Sequence, residues 1–143
     1  MNFIIKTFAE LTAAELYEIV RARQEVFLME QRIVCRDFDG VDYDAVHCFL
    51  WEDGKVVAYT RAFMQGDEIH LGRFLTTRHG EGLGRRLMEL SIPEILKKFD
   101  SKKISFHAQR HAEGFYKRLG FETVSEVFLE EGIEHVVMEK NFI

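Results

Sequence analysis

The sequence predicts a mixed α/β fold, and three observations predict it. Apolar residues recur at helical spacing in two long stretches and one short one. Between them run short segments in which apolar and polar residues alternate. Turn pairs such as Asp53-Gly54, Gly66-Asp67 and Glu131-Gly132 sit where one segment gives way to the next. The resulting order is strand, helix, three strands, helix, strand, helix, two strands, which is that of a mixed sheet with helices packed on it.

Asn2–Phe8 reads as a short strand, with Ile4 and Ile5 bulky and Lys6 outward. Thr12-Ala-Ala-Glu15 is a capping box, in which hydroxyl and carboxylate reciprocally satisfy the first free N–H groups of a helix. That helix carries Leu16, Ile19, Val20 and Phe27 on one side and runs to about Glu30, with Arg21 and Arg23 on its more polar side. Residues 32–46 lack periodicity and read as a loop. His47–Glu52 alternates, Glu52-Asp-Gly-Lys55 is a hairpin turn, and Lys55–Gln65 and Glu68–Thr76 are two further strands. Leu83, Leu87, Met88, Ile92, Ile95 and Leu96 then mark a helix to about Phe99, which Pro93, the only proline, is expected to kink or split. Lys103–Ala108 is a strand. Ala112–Leu119 is a short helix stopped by Gly120, with Phe121 placed for the apolar contact of a glycine cap. Thr123–Leu129 and His135–Lys140 close the chain as a hairpin.

A chain of 143 residues fits one domain over 1–143. Its 47% hydrophobic and 30% charged content is that of a soluble globular protein. A net charge of −5 argues against a nucleic-acid binder and leaves room for a cationic partner such as an amine. Cys35 and Cys48 make no disulfide framework, so a reducing cytoplasm is expected. MNFIIKTF is too short and polar for a signal peptide, and no apolar run reaches the ~18 residues of a membrane span, so no membrane association is expected.

The stretch RHGEGLGRRLMEL, Arg78 to Leu90, places three glycines immediately before an amphipathic helix. Glycines there let backbone N–H groups approach an anion. A nucleoside-triphosphate loop would need lysine and a hydroxyl residue after the last glycine, and Arg85 and Arg86 stand there instead. A dinucleotide fingerprint needs a different third spacing than Gly80, Gly82 and Gly84 provide. A pyrophosphate bound without metal suits what remains, and so does a connection that binds nothing.

A second stretch separates those two. GRFLTTRHGEGLGRRLM together with QRHAEGFYKRLGF resembles the GNAT superfamily of acetyl-CoA-dependent N-acyltransferases. LYEIVRARQEVFLMEQ, DFDGVD, the following His47 and the tail LEEGIEHVVM extend the likeness to its ElaA-like subgroup and to nearly the whole chain. The resemblance implies a central, mostly antiparallel mixed sheet flanked by helices, with acetyl-CoA as co-substrate. It implies that backbone groups of Phe74, Leu75 and Thr76 contact the pantetheine arm and the acetyl carbonyl. Backbone N–H groups of His79, Gly80, Glu81, Gly82, Leu83 and Gly84 would take the pyrophosphate, with Arg85 adding charge and Gln109 standing in the second motif. Tyr116 matches the tyrosine that donates a proton to the coenzyme sulfur. The chain departs from the family pattern at His79, where glutamine or arginine is usual, and at Gln109, where asparagine is usual.

A base for the amine is not fixed by the motifs. Glu30, at the end of the first helix, is the first candidate, against a plain surface carboxylate; His47 is the second, against a structural histidine. Asp37, Asp39, Asp42 and Asp44 lack the spacing of a calcium loop and read as a solvated acidic segment that could attract a cationic amine. His47 and Cys48 are adjacent on a strand and point to opposite faces, so they form no catalytic pair. His107 and His111 have no third ligand, and no metal is expected. The expected activity is transfer of acetyl to the primary amine of a small molecule or peptide by direct attack in a ternary complex. The rival is a GNAT fold that holds acyl-CoA as a sensor with little or no turnover. Exposed strand edges near the chain's end are compatible with a homodimer.

Overall fold

A computed structural model describes residues 1–143. The strands are β1 (Asn2–Thr7), β2 (Val46–Glu52), β3 (Lys55–Gln65), β4 (Glu68–Thr76), β5 (Lys103–Gln109), β6 (Glu122–Thr123), β7 (Phe128–Glu130) and β8 (Ile133–Asn141). The helices are α1 (Ala13–Arg23), α2 (Leu83–Lys98) and α3 (Glu113–Arg118). One sheet runs in the order β1-β2-β3-β4-β5-β8-β6, with β7 also paired to β8. Every pairing is antiparallel except β4–β5. No helix is long and apolar enough to cross a membrane.

Alternation along the strands divides the core in two. Cys48, Leu50 and Ala58 pack with Leu83, Leu87, Met88 and Ile95 of α2, and with Tyr116 of α3. Phe49 and Tyr59, one residue out of step, pack with Ile19 and Ala22 of α1. The helices thus cover both faces of the sheet.

The local signals behave as their chemistry requires. Thr12 Oγ1 accepts from the Glu15 N–H at 3.1 Å, and Glu15 Oε1 accepts from the Thr12 N–H at 2.8 Å, completing the capping box. The α3 terminus closes with Phe121 N–H on the Tyr116 carbonyl and Gly120 N–H on the Lys117 carbonyl, Gly120 having φ of 92°.

Four expectations need correction. Pro93 does not split α2, which runs unbroken from Leu83 to Lys98. The first helix changes form after Arg23: Gln24–Glu30 is a π-helical segment, with Gln31 N–H reaching back five residues to the Val26 carbonyl. The strand expected over Thr123–Leu129 is two short ones, because the Ser125 hydroxyl accepts the Val137 N–H at 2.8 Å and takes the place of a ladder bond. Residues 32–46 hold a 3₁₀ turn at Val41–Tyr43, and the strand after them begins at Val46.

Candidate active site

Two irregularities in β4 open the sheet. Tyr59 pairs with Leu75 and Arg61 with Gly72, so Thr60 alone faces both Arg73 and Phe74. This is a β-bulge, and Arg73 takes up the extra residue with φ of 53°. Beside it, β4 and β5 pair only at Ile69–Ile104 and His70–Ser105. Beyond those residues the two strands part, and a cavity of about 340 Å³ lies between them. Its walls include Gly72 to Thr76 of β4, Phe106, His107 and Gln109 of β5, Tyr116 of α3, and Phe27 and Gln31 of the first helix.

A left-handed residue with a side chain costs about 1–3 kcal/mol, so something must hold Arg73 in place. Its guanidinium does so, bonding Asp37 at 2.9 Å and Asp39 at 3.3 Å. Arg23 bonds Asp37 at 3.1 Å and Asp42 at 2.8 Å, and Arg61 bonds Asp39 at 2.7 Å and Asp42 at 2.9 Å. Arg23 is 1% exposed and Arg61 3%. This overturns two readings of the sequence. Arg23 is not on a polar surface, and Asp37, Asp39 and Asp42 are not a solvated lure for amines. Three carboxylates and three guanidiniums neutralise one another and fasten the loop to the bulge.

The network sets a pH dependence. Desolvation works against the Asp39 carboxylate, but hydrogen bonds and charge from Arg61 outweigh it and hold the group down to about 2. Asp42 is lowered likewise, by Arg23 and Arg61 against its burial. A depressed folded-state pKa contributes stability that is present above the unfolded value of ~3.9 and is lost as pH falls towards 2. Equilibrium unfolding at pH 7, 4 and 3 is therefore expected to show stability falling below pH 4. Asp39→Asn should be less stable at pH 7 and flatter over that acid range; equal slopes for both proteins would contradict the assignment.

The glycine turn fits an anion. Gly82 caps α2 in the left-handed region, with φ of 71°, and supplies no side-chain cap for the first N–H groups. The space a Cβ would fill at Gly80 or Gly82 is open. At Gly84 a Cβ would stand 2.9 Å from the Phe74 ring, so the first turn of α2 lies directly against the bulge. The helix N-terminus, with its unpaired donors and positive dipole end, is thereby set beside the parted strands.

Tyr116 is buried among Phe74, Phe106 and Phe115, with its ring 4.5 Å from that of Phe106. It lines the cavity, and burial alone pushes its phenol above the usual range. The hydroxyl stays protonated at physiological pH.

The other sequence candidates fall in several places. Glu30 is half exposed, and its side chain accepts only from His79 Nε2, at 2.9 Å. It is not part of the cavity wall, whereas His79 is. Gln109 donates to Gln31 Oε1 at 2.9 Å. The end of the first helix thus touches both the glycine turn and the end of β5. Arg85 is exposed and bonds Glu89 one turn on. Arg78 reaches Glu52 at 3.1 Å and Glu81 at 3.1 Å, tying the turn to the β2–β3 hairpin. His47 is structural: Nε2 donates to the Asp42 carbonyl at 3.0 Å and Nδ1 accepts from the Tyr59 hydroxyl at 2.7 Å. Its burial pushes its pKa down.

Sequence reasoning assigned no role to a group on the β5–β8 side. His107, Glu130, Glu131 and His135 also line the cavity, and Glu130 lies between the two histidines. The tail LEEGIEHVVM was the available signal, but its residues meet His107 only in the folded sheet.

The profile of the acetyltransferase (GNAT) domain matches residues 11–142. Protein ElaA of Escherichia coli strain K12 is 32% identical over 142 residues, covering 94% of this chain and 93% of the relative. Among solved structures, an acyl-CoA N-acyltransferase from Pseudomonas aeruginosa superposes with a TM-score of 0.91 at 32% identity, covering 98% of this chain and 99% of that one. The crystal structure of E. coli ElaA gives 0.92 at 29% identity, covering 99% and 100%.

Proposed function

From the premise that this chain belongs to the GNAT acetyltransferase family, and is therefore an acyltransferase, we propose that it transfers acetyl from acetyl-CoA to a primary amine by direct attack in a ternary complex. One observation carries the reading. The parted β4 and β5 strands leave a cavity that holds Tyr116 and lies beside an uncapped, glycine-opened helix N-terminus. That arrangement would give a thioester arm a slot, a pyrophosphate its donors and the reacting sulfur an acid.

Backbone N–H groups from His79, Gly80, Glu81, Gly82, Leu83 and Gly84, helped by the α2 dipole, would bind the pyrophosphate. The backbone of Phe74, Leu75 and Thr76, displaced by the bulge, would pair with the pantetheine arm and donate to the acetyl oxygen as negative charge develops there. Tyr116 would hydrogen-bond the departing sulfur and protonate it. Glu30 would act through His79, holding the turn, with Gln31 doing the same for Gln109. An aminoglycoside 6'-N-acetyltransferase complexed with coenzyme A has this fold, with a TM-score of 0.74 at 13% identity.

Calorimetric titration with acetyl-CoA, then with CoA, tests the reading. Micromolar binding of both is expected, roughly −8 kcal/mol. Absence of binding to either would sink it.

A further inference from the structure

An amine reaches the cavity as an ammonium ion at neutral pH and must lose a proton before it can attack. Side chains alternate along β5 and β8, so Phe106, Val136 and Met138 enter the core beneath α2 and α3, while His107 and His135 stand on the other face. Tyr116 and His135 nonetheless line one cavity, because it passes through the gap between β4 and β5.

His135 is buried, and its ring is oriented by the backbone. Nδ1 lies 2.7 Å from the Ile133 carbonyl oxygen, which can only accept, so this nitrogen carries the hydrogen. The neutral ring therefore keeps its lone pair on Nε2. That atom is 3.6 Å from Glu130 Oε2, too long for a hydrogen bond and close enough to attract a positive ring. Glu130 is steadied on its other side, where Oε1 accepts from His107 Nδ1 at 2.8 Å. Phe128 stacks on His135 with ring centroids 6.0 Å apart. A histidine with one nitrogen fixed, the other open to a cavity and a carboxylate beside it has the construction of a general base.

We infer that His135 Nε2 takes the proton of the acceptor ammonium, with Glu130 as the positioning residue that stabilises the charged ring. The inference rests on the transferase reading and supplies the base that reading lacks. One ammonium proton passes to Nε2. The amine nitrogen then bonds the thioester carbonyl carbon, and the carbon–sulfur bond breaks. The sulfur takes the Tyr116 proton, and a second proton from the nitrogen restores the phenol. Amide, free thiol and a protonated His135 remain, and His135 returns its proton to solvent.

The titratable and charged groups around the ring are Glu130 and Glu131 of the β7–β8 hairpin, His107 and His111 from β5 and the turn after it, and Asp37 paired with Arg73 across the cavity. The test compares wild type with His135→Asn, whose amide can still donate to the Ile133 carbonyl but has no basic nitrogen. The probes are acetyl-CoA with spermidine, glucosamine and lysine amide, and calorimetric affinity for acetyl-CoA controls for folding. His135→Asn is expected to lose about a hundredfold in kcat/KM at pH 7, with coenzyme affinity within about threefold of wild type. The loss should shrink as pH approaches the pKa of the amine, where free amine needs no base. Glu130→Gln should lower kcat about tenfold at pH 7 with the KM for acetyl-CoA unchanged, because the ring that takes the proton loses the carboxylate beside it. An active wild type with His135→Asn equally active at pH 7, or with a hundredfold loss that persists at high pH, overturns the base assignment alone. A wild type that binds acetyl-CoA and acetylates none of the three amines overturns the transferase reading and the base with it.

Discussion

Arg23→Met is expected to lower the unfolding free energy by about 3–5 kcal/mol, read as a shift of the urea midpoint, and the melting temperature by roughly 10–20 °C. The side chain is 1% exposed and lies between Asp37, Asp42 and the face of Tyr59, whose centroid is 5.9 Å from its guanidinium carbon. Methionine fills similar volume without the charge. It leaves Asp42 with Arg61 alone and Asp37 with Arg73 alone, in a region where unpaired charge is poorly solvated. Breaking such a network costs more than its pairs contribute, because three carboxylates are left facing two guanidiniums. The β4 bulge is tied to the same aspartates, so coenzyme affinity should fall along with stability. A variant as stable as wild type would mean that the aspartates find water or rearrange at little cost.

Tyr116→Phe is expected to lower kcat by about 10²–10³-fold while leaving acetyl-CoA affinity within about threefold. The two halves of that outcome come from one geometry. The ring packs against Phe74, Phe106 and Phe115, and phenylalanine preserves those contacts. The raised pKa of the phenol comes from burial alone, so removing the hydroxyl should disturb little in the fold. In the proposed mechanism the lost group is the proton donor to the leaving sulfur. Stopped assays of acetyl transfer with parallel calorimetry separate the halves. A variant with unchanged kcat would remove Tyr116 from the chemistry, and one that no longer bound coenzyme would give the hydroxyl a binding role instead.

The chain's local order was legible because each signal is short-ranged. The Thr12–Glu15 box, the Asp53-Gly54 turn and the Gly120 cap involve residues within a few positions of one another, and each recurs in the structure as its chemistry dictates. The glycine turn was legible for the same reason. Where a distant partner intervened, local reading failed. Arg23 looked polar by helical position, but its surroundings are set by Asp37 and Asp42, 14 and 19 residues away. Pro93 read as a kink or a split, and the split does not occur: α2 continues through it with Leu87, Met88 and Ile95 buried against the sheet. Ser125 looked like one more strand residue until its hydroxyl met the Val137 N–H.

The sequence by itself determined the order of the main elements, the glycine-opened start of α2 and the family. Each of these is written in contiguous residues, whose periodicity and turn chemistry act over one or two turns of chain. Tertiary structure decided the bulge at Arg73, the gap between β4 and β5, the exchange of Glu30 from the cavity to His79, and the meeting of His107, Glu130 and His135. Those depend on strand register and on charges brought together from residues tens of positions apart. Such charges are neutralised or left available only once the chain has closed around them.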